Sequence, residues 1–227
     1  MVQEEQERRE RQGSAEATRL ALLMAALRLF GRNGYEATST REIAAEAKAN
    51  IGSIAYHFGG KEGLRAACAE HIVATIKAIA GPAVGLDGDA PSLEQKAAED
   101  VLVQGVMRMI GFIVSQPQAG EFVQFVLREL SVAGPGVDVL YDGVFLPVHR
   151  RLCQLWGQAT GQDPESERTR IAVFAMVGQV VYFRIGREAV VRRMDWPTIG
   201  PAEAARLGAV IAENIRAMVA AHRETQR

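Results

Sequence analysis

Apolar residues recur at helical spacing along the chain, and no segment shows the two-residue alternation of a half-buried strand. Leu20, Leu23, Met24, Leu27 and Phe30 form one stripe, predicting a first helix from about Ser14 to Phe30. Gly31 and Gly34 would end it, with Tyr35 plugging the core beyond. Two short helices follow. Ser39 is placed to cap the first, with Glu42 closing a capping box and Ile43, Ala44 and Ala47 as its apolar face. Asn50 is placed to cap the second, in which Ile54 and Phe58 share an inward face. A longer helix is expected from Lys61 to about Ile79, and Gly81-Pro82, Gly85 and Gly88 to Pro91 mark a loop. Beyond it the pattern predicts Ser92–Ser115, capped by Ser92, and Gln118–Ser131, stopped by Gly134-Pro135-Gly136. Val137–Thr160 follows, kinked or broken near Phe145 by Pro147. The last elements are Pro164–Ile185, capped by Asp163, a short piece to Met194, and Pro201 to about His222. The expected fold class is all-α.

The two short helices joined by Lys48-Ala49-Asn50 make a helix-turn-helix, whose second helix enters a DNA major groove while the first crosses the backbone. Thr40 and Arg41 stand at the N-terminal edge of the first helix, where free amides and the dipole suit a phosphate. Ile51, Ser53, Tyr56 and His57 lie on or beside the outward face of the second, and Gly52 permits close backbone approach. Lys61 adds a point charge for phosphate. Taken singly, Tyr56 and His57 read as packing residues and Arg41 and Lys61 as solvated charges. Their joint placement is what points to DNA.

These residues resemble the tetracycline-repressor (TetR) family of bacterial regulators. The resemblance runs from about Ser14 to Leu64 and rests on four motifs in order. These are Leu29-Phe30-Gly31-Arg32-Asn33-Gly34-Tyr35, Ala37-Thr38-Ser39-Thr40-Arg41-Glu42-Ile43-Ala44, Tyr56-His57-Phe58 and Lys61-Glu62-Gly63-Leu64. It implies an N-terminal three-helix DNA-binding domain over residues 14–62, behind an arm of residues 1–13. A ligand-binding and dimerisation domain then covers 63–227. It also implies that Thr40, Tyr56, His57 and Lys61 contact phosphates while Arg41, Ile51 and Ser53 reach base edges; Lys48 and Asn50, in the turn between, are further candidate DNA contacts. Two positions depart from the pattern. Lys48 stands where the family usually has the turn glycine, so it must accept a strained backbone or an altered turn. Ala55 replaces a frequent aromatic and removes one phosphate contact. The C-terminal half is similar to the CecR-like subgroup over Phe145-Leu146-Pro147-Val148-His149-Arg150-Arg151-Leu152-Cys153 and from Val177 to Arg187, with Trp196 in the following loop.

Composition adds limits. The net charge of −1 gives no bulk attraction to nucleic acid, so any such binding depends on local charge and helix termini. The mixed-sign run from Glu4 to Arg11 reads as a flexible arm or a frayed helix extension. The charged first twenty residues hold no secretory signal, and the uncharged stretch Ile171–Phe183 is too short to span a bilayer; a cytoplasmic location is expected. Cys68 and Cys153 are isolated and read as buried small hydrophobes. The four histidines fall in no metal-ligating pattern, and Walker, dinucleotide and nucleophile-elbow motifs are absent, so no cofactor, metal or catalysis is expected. A helical protein-binding adaptor and a helical enzyme remain as rival classes.

The last helix presents Ala204, Gly208, Ile211, Ile215 and Met218 at alternating spacings of three and four, and the preceding long helix adds Phe174, Val177 and Val181. Such a stripe either closes a monomeric core or forms a dimer seam. Reading a palindromic operator needs two-fold symmetry, and the resembled family pairs its final helices in a four-helix bundle, so a homodimer is expected. The resemblance also implies a small, largely apolar effector that releases a repressor from DNA. Candidate lining residues are Met107, Phe112, Phe122, Phe125, Tyr141, Phe145 and Tyr182, with Arg128, His149 and Gln179 as polar anchors. Glu129 and Arg184 are further polar groups inside apolar runs, with salt bridges the plainer reading for Arg128 and Glu129.

Overall fold

The computed structural model describes residues 2–86, 92–132 and 135–224. Its elements are α1 (Val2–Asn33), α2 (Thr40–Glu46), α3 (Gly52–Phe58), α4 (Lys61–Val84), α5 (Gln95–Ile113), α6 (Pro117–Val132) and α7 (Pro135–Leu140). A π-helical turn (Tyr141–Phe145), α8 (Leu146–Thr160), α9 (Glu167–Ile185), α10 (Arg187–Met194) and α11 (Pro201–Glu224) complete the chain. Among the described residues every regular element is helical, so the fold is all-α. Two compact units form, one from Met1–Val73 with Glu121–Leu140, the other from Ala74–Gly120 with Tyr141–Arg227.

In the first unit, α1 is helical from Val2, so the expected arm is a continuation of the helix. Its core face is Leu22, Leu23, Ala26, Leu27 and Phe30, while Leu20 is half exposed. Ile43 and Ala44 of α2, Ile54 of α3, and Leu64, Cys68 and Ile72 of α4 are buried with it. Truncating any of the large ones to alanine would cost about 2–5 kcal/mol. Gly31 does not end α1. It makes room for α6: a Cβ there would lie 3.2 Å from the Phe125 amide nitrogen. Gly34, at φ +86°, turns the chain away instead.

In the second unit, Leu102, Val106 and Ile110 of α5 meet Leu155 and Trp156 of α8, Val173 and Met176 of α9, and Ile211 and Ile215 of α11. The α11 stripe assigned above to a dimer seam therefore faces inward. Ala204, Gly208, Ile211 and Ile215 are all buried, and a Cβ on Gly208 would fall 2.5 Å from Met107 Cε. The α5 face needs an apolar partner, and this stripe supplies it.

Several boundaries shift for local reasons. α4 continues through Gly81-Pro82 to Val84 and ends at Gly85, φ +69°, with Arg151 Nε donating to the Val84 carbonyl at 2.6 Å. The rest of the expected loop, 88–91, and Gly134 lie outside the described residues. Ser92 caps nothing, because α5 begins behind Glu94. Pro147 acts upstream of itself: lacking an N–H, it leaves an acceptor unmatched one turn back, and the chain opens into the π-helical turn there. Asp163 accepts from the Glu165 amide at 2.9 Å in a turn, and Ser166 takes over the cap of α9 through the Thr169 amide. α9 and α10 meet at 75°, and no single helix among the described residues is long and apolar enough to cross a membrane.

Candidate nucleic-acid interface

The capping box forms as the sequence implies. Ser39 N donates to Glu42 Oε2 at 2.7 Å, and Glu42 N donates to Ser39 Oγ at 3.2 Å. The Ser39 amide, then its hydroxyl, and then the charge of Lys61 hold the Glu42 carboxyl below the usual carboxylate range. The box consumes the third amide of α2, leaving those of Thr40 and Arg41 without intrahelical acceptors. Lys48 adopts φ +52°, its amide donating to Ala45 O at 3.1 Å while Ala49 donates to Ala44 O at 2.9 Å. That is a Schellman closure with lysine in the left-handed position. Asn50 Oδ1 accepts from Gly52 N at 2.8 Å, so it caps α3 from just outside the helix. On α3, Ile54 is buried, Ile51 and Tyr56 are exposed, and Ser53 and His57 are half-exposed. Tyr56 is 83% exposed, which no packing role explains, and its ring meets His57 edge-on at 4.9 Å. Arg41, Lys48 and Asn50 are exposed, and Thr40 half-exposed.

A charged cluster adjoins this surface that the sequence reading did not assemble. Lys61 Nζ stands 4.1 Å from the centroid of the Tyr35 ring and Arg65 Cζ 4.5 Å from it, so Tyr35, half-buried against the core residue Phe30, also carries two cations. Arg65 pairs with Glu129 of α6 through contacts of 2.9, 3.1 and 2.8 Å, both side chains nearly buried. Arg128, expected in an effector pocket, instead donates to the Arg32 carbonyl at 3.1 Å. The available signal was a carboxylate in register with Phe122 and Phe125 on the buried stripe of α6.

Of the expected effector residues, the second unit brings Tyr141 and His149 together in one cleft, and the rest are dispersed. Phe122 and Phe125 are buried in the first unit, Met107 packs at Gly208, and Tyr182 is exposed. Gln179 is occupied by α11, accepting from Asn214 Nδ2 at 3.1 Å and donating to Met218 Sδ at 3.7 Å. Phe112 and Phe145 are half-buried and do not line the cleft that does form. That cleft, about 280 Å³, brings together Tyr141, Leu146, His149, Arg150, Cys153, Glu165, Arg170 and Phe174. His149 stacks on Phe174 at 3.9 Å and sits 3.2 Å from the Arg170 carbonyl through Nε2. Burial, reinforced by Glu165, pushes the Cys153 thiol up to about 11. Of the seam residues on α9, Phe174 is exposed, while Val177 and Val181 are half-buried, as is Met218 on α11.

Residues 22–68 match the family described as bacterial regulatory proteins, tetR family. Residues 98–222 match the C-terminal domain of the HTH-type transcriptional dual regulator CecR. The chain is 32% identical over 185 residues to the dual regulator CecR of Shigella flexneri, covering 80% of this chain and 82% of that protein. It is 41% identical over 66 residues to the HTH-type transcriptional repressor Rv3405c of Mycobacterium tuberculosis H37Rv, covering 29% of this chain and 35% of that one. In fold it is similar to AibR, solved in complex with isovaleryl coenzyme A and operator DNA. The TM-score is 0.64 at 18% identity, over 86% of this chain and 96% of that one. It is also similar to a gamma-butyrolactone receptor, an ArpA-like protein, at TM-score 0.56 and 24% identity, over 88% and 99%.

Proposed function

Because the chain belongs to the tetR family of bacterial regulatory proteins and carries a CecR-type C-terminal domain, we propose that it represses transcription as a homodimer on a palindromic operator, released by a small molecule. That it is a DNA-binding transcriptional regulator and not an enzyme follows from the family itself. The observation that carries the residue-level reading is the helix-turn-helix closed by Lys48, presenting Ile51 and Tyr56 to solvent beside Arg41 and Lys61. In this reading Thr40, Tyr56, His57 and Lys61 hold phosphates, Arg41, Ile51 and Ser53 read base edges, and Lys48 and Asn50 shape the turn and meet the DNA backbone beside it. Repression needs no more than occupancy of a promoter, and the protein acts in the cytoplasm where the chromosome lies.

The dimer reading keeps Phe174 from the seam the sequence suggested but leaves the buried α11 stripe for the exposed side of α9. Ile171, Phe174, Tyr182 and Ile185 lie along one side of α9 and are 57–62% exposed, and Val210 of α11 is 56% exposed. Large apolar groups left in solvent at that spacing suit a second copy, with two recognition helices about 34–36 Å apart on DNA. The cleft of the second unit supports an effector with an apolar body and a polar end: Tyr141, Leu146 and Phe174 stand beside Arg150, Glu165 and Arg170.

The test is footprinting and gel-shift on the DNA upstream of its own gene. Arg41→Ala should relax preference at one base pair by about 1–3 kcal/mol, whereas Lys61→Ala should weaken operator and random DNA alike. Equal effects of the two on sequence preference would overturn this division of roles, and no shift on any DNA would favour the protein-binding adaptor.

A further inference from the structure

We propose that Tyr35 and Glu129 are positioning residues for the phosphate contact of Lys61, a role that rests on the DNA-binding reading of Lys61 given above. Lys61 and Arg65 are one helical turn apart on α4 and share the Tyr35 ring, at 4.1 and 4.5 Å. Two like charges at that spacing repel. Glu129 removes the conflict by holding Arg65 with three short contacts in a nearly buried pair. Arg65 is thereby neutralised and immobile, and it fixes one side of the Tyr35 ring while Phe30 packs on the ring at 5.5 Å. A ring held in this way offers its negative face to the Lys61 ammonium and draws it out of the many rotamers of a free lysine. The Lys61 charge also acts on the Glu42 carboxylate of the α2 capping box, helping to hold it ionised.

Glu129 is itself well anchored. The neighbouring Arg128 binds the Arg32 carbonyl at 3.1 Å, and α6 approaches α1 closely at Gly31. Gly136 leaves the Glu129 carboxylate the space that any larger residue at 136 would take. The first unit thus builds a chain from a buried carboxylate to an aromatic ring to a phosphate-facing lysine. A lysine already confined loses less freedom when it meets its phosphate.

The experiment uses the full-length protein, a random-sequence DNA duplex and a salt series from roughly 50 to 200 mM. Lys61→Ala removes one phosphate contact from each protomer of the proposed dimer and should lower the salt slope by about two units, so the loss of affinity across the series shrinks by about 12-fold. Tyr35→Leu should lower the slope in the same direction, and the double variant should match Lys61→Ala alone. Tyr35→Phe, which keeps the ring, should retain the wild-type slope. Glu129→Gln should repeat the Tyr35→Leu pattern, weakening binding only where Lys61 is present. It carries the test if Tyr35→Leu melts below the assay temperature. Effects that add in the double variants, or a wild-type slope in Tyr35→Leu, would overturn the proposal and leave the cluster as packing. A wild-type slope in Lys61→Ala would instead overturn the phosphate contact, and the positioning role with it.

Discussion

Replacing Lys48 by glycine should make the protein more stable and its hold on DNA weaker. Lys48 closes α2 at φ +52°, where a Cβ crowds the following carbonyl at a cost of about 1–2 kcal/mol. Glycine removes that crowding but frees the unfolded chain, which takes back about 0.5–1 kcal/mol. The Schellman bonds from Lys48 N and Ala49 N are backbone bonds and survive the change. The net gain is therefore about 0.5–1 kcal/mol, or about 1–4 °C in melting temperature for a chain of this length. Lys48→Ala is the control: it loses the same charge and keeps the Cβ, so it should gain nothing. Thermal unfolding followed by circular dichroism gives both numbers, at one fixed concentration because a dimer's melting point depends on it. Both variants should lose about two units of salt slope on random DNA if the lysine of each protomer meets a phosphate. If glycine proves no more stable than alanine, the strain assigned to this turn is wrong.

Further outcomes follow from the same geometry. Phe174→Asp combined with Tyr182→Asp should leave the protomer folded, both side chains being more than half exposed, and sediment as a monomer at micromolar concentration. Ile211→Glu should instead unfold the protein, since an unpaired carboxylate would enter the α5–α11 core at several kcal/mol; a folded Ile211→Glu protein would contradict that core. Ser39→Ala should cost about 1 kcal/mol. The folded pKa of Glu42 is depressed, so its contribution is present above the ordinary carboxylate range and lost as pH falls through the lower folded value; Glu42→Gln should flatten that acid limb of the stability profile. Cys68 and Cys153 are buried with raised thiol pKa values, so a thiol reagent at pH 8 should label them only in denaturant, and fast labelling of the native protein would show that the cores open.

What the sequence conveyed was decided by distance along the chain. The Ser39–Glu42 box involves partners within three residues and read directly from residue type, whereas at Lys48 the resemblance left a strained backbone or an altered turn open, and φ +52° is the strained one. Asp163 and Ser166 illustrate the limit of that reasoning: both are good caps, and the choice fell to Ser166, whose partner Thr169 is fully buried. The α11 stripe announced a buried face without saying what would bury it. Met107 and Ile110 of α5 settle that, and neither is near α11 in sequence. Of the ten effector candidates Tyr141 and His149 line one cleft and the others are scattered, for the same reason: aromatic content says nothing about which helices converge. Glu129 stood out as a charge in an apolar register, but its partner lies 64 residues away.

The distribution of cations around the reading head also bears on how many molecules a cell must keep. Arg28 is tied to Glu46 at 3.2 Å and Arg65 to Glu129, which leaves Arg41, Lys48 and Lys61 as the cations assigned to DNA. With Arg41 on a base edge, Lys48 and Lys61 of the proposed dimer would neutralise four phosphates, giving a salt slope of about 3.6 and a hold about 150-fold weaker at 200 than at 50 mM salt. With a net charge of −1, no long-range field adds to them. A chromosome offers about 10⁶–10⁹ competing sites, and a protein that grips arbitrary DNA tightly is lost among them. Sparse charge keeps this regulator largely free to search, so a small copy number suffices to keep one operator filled.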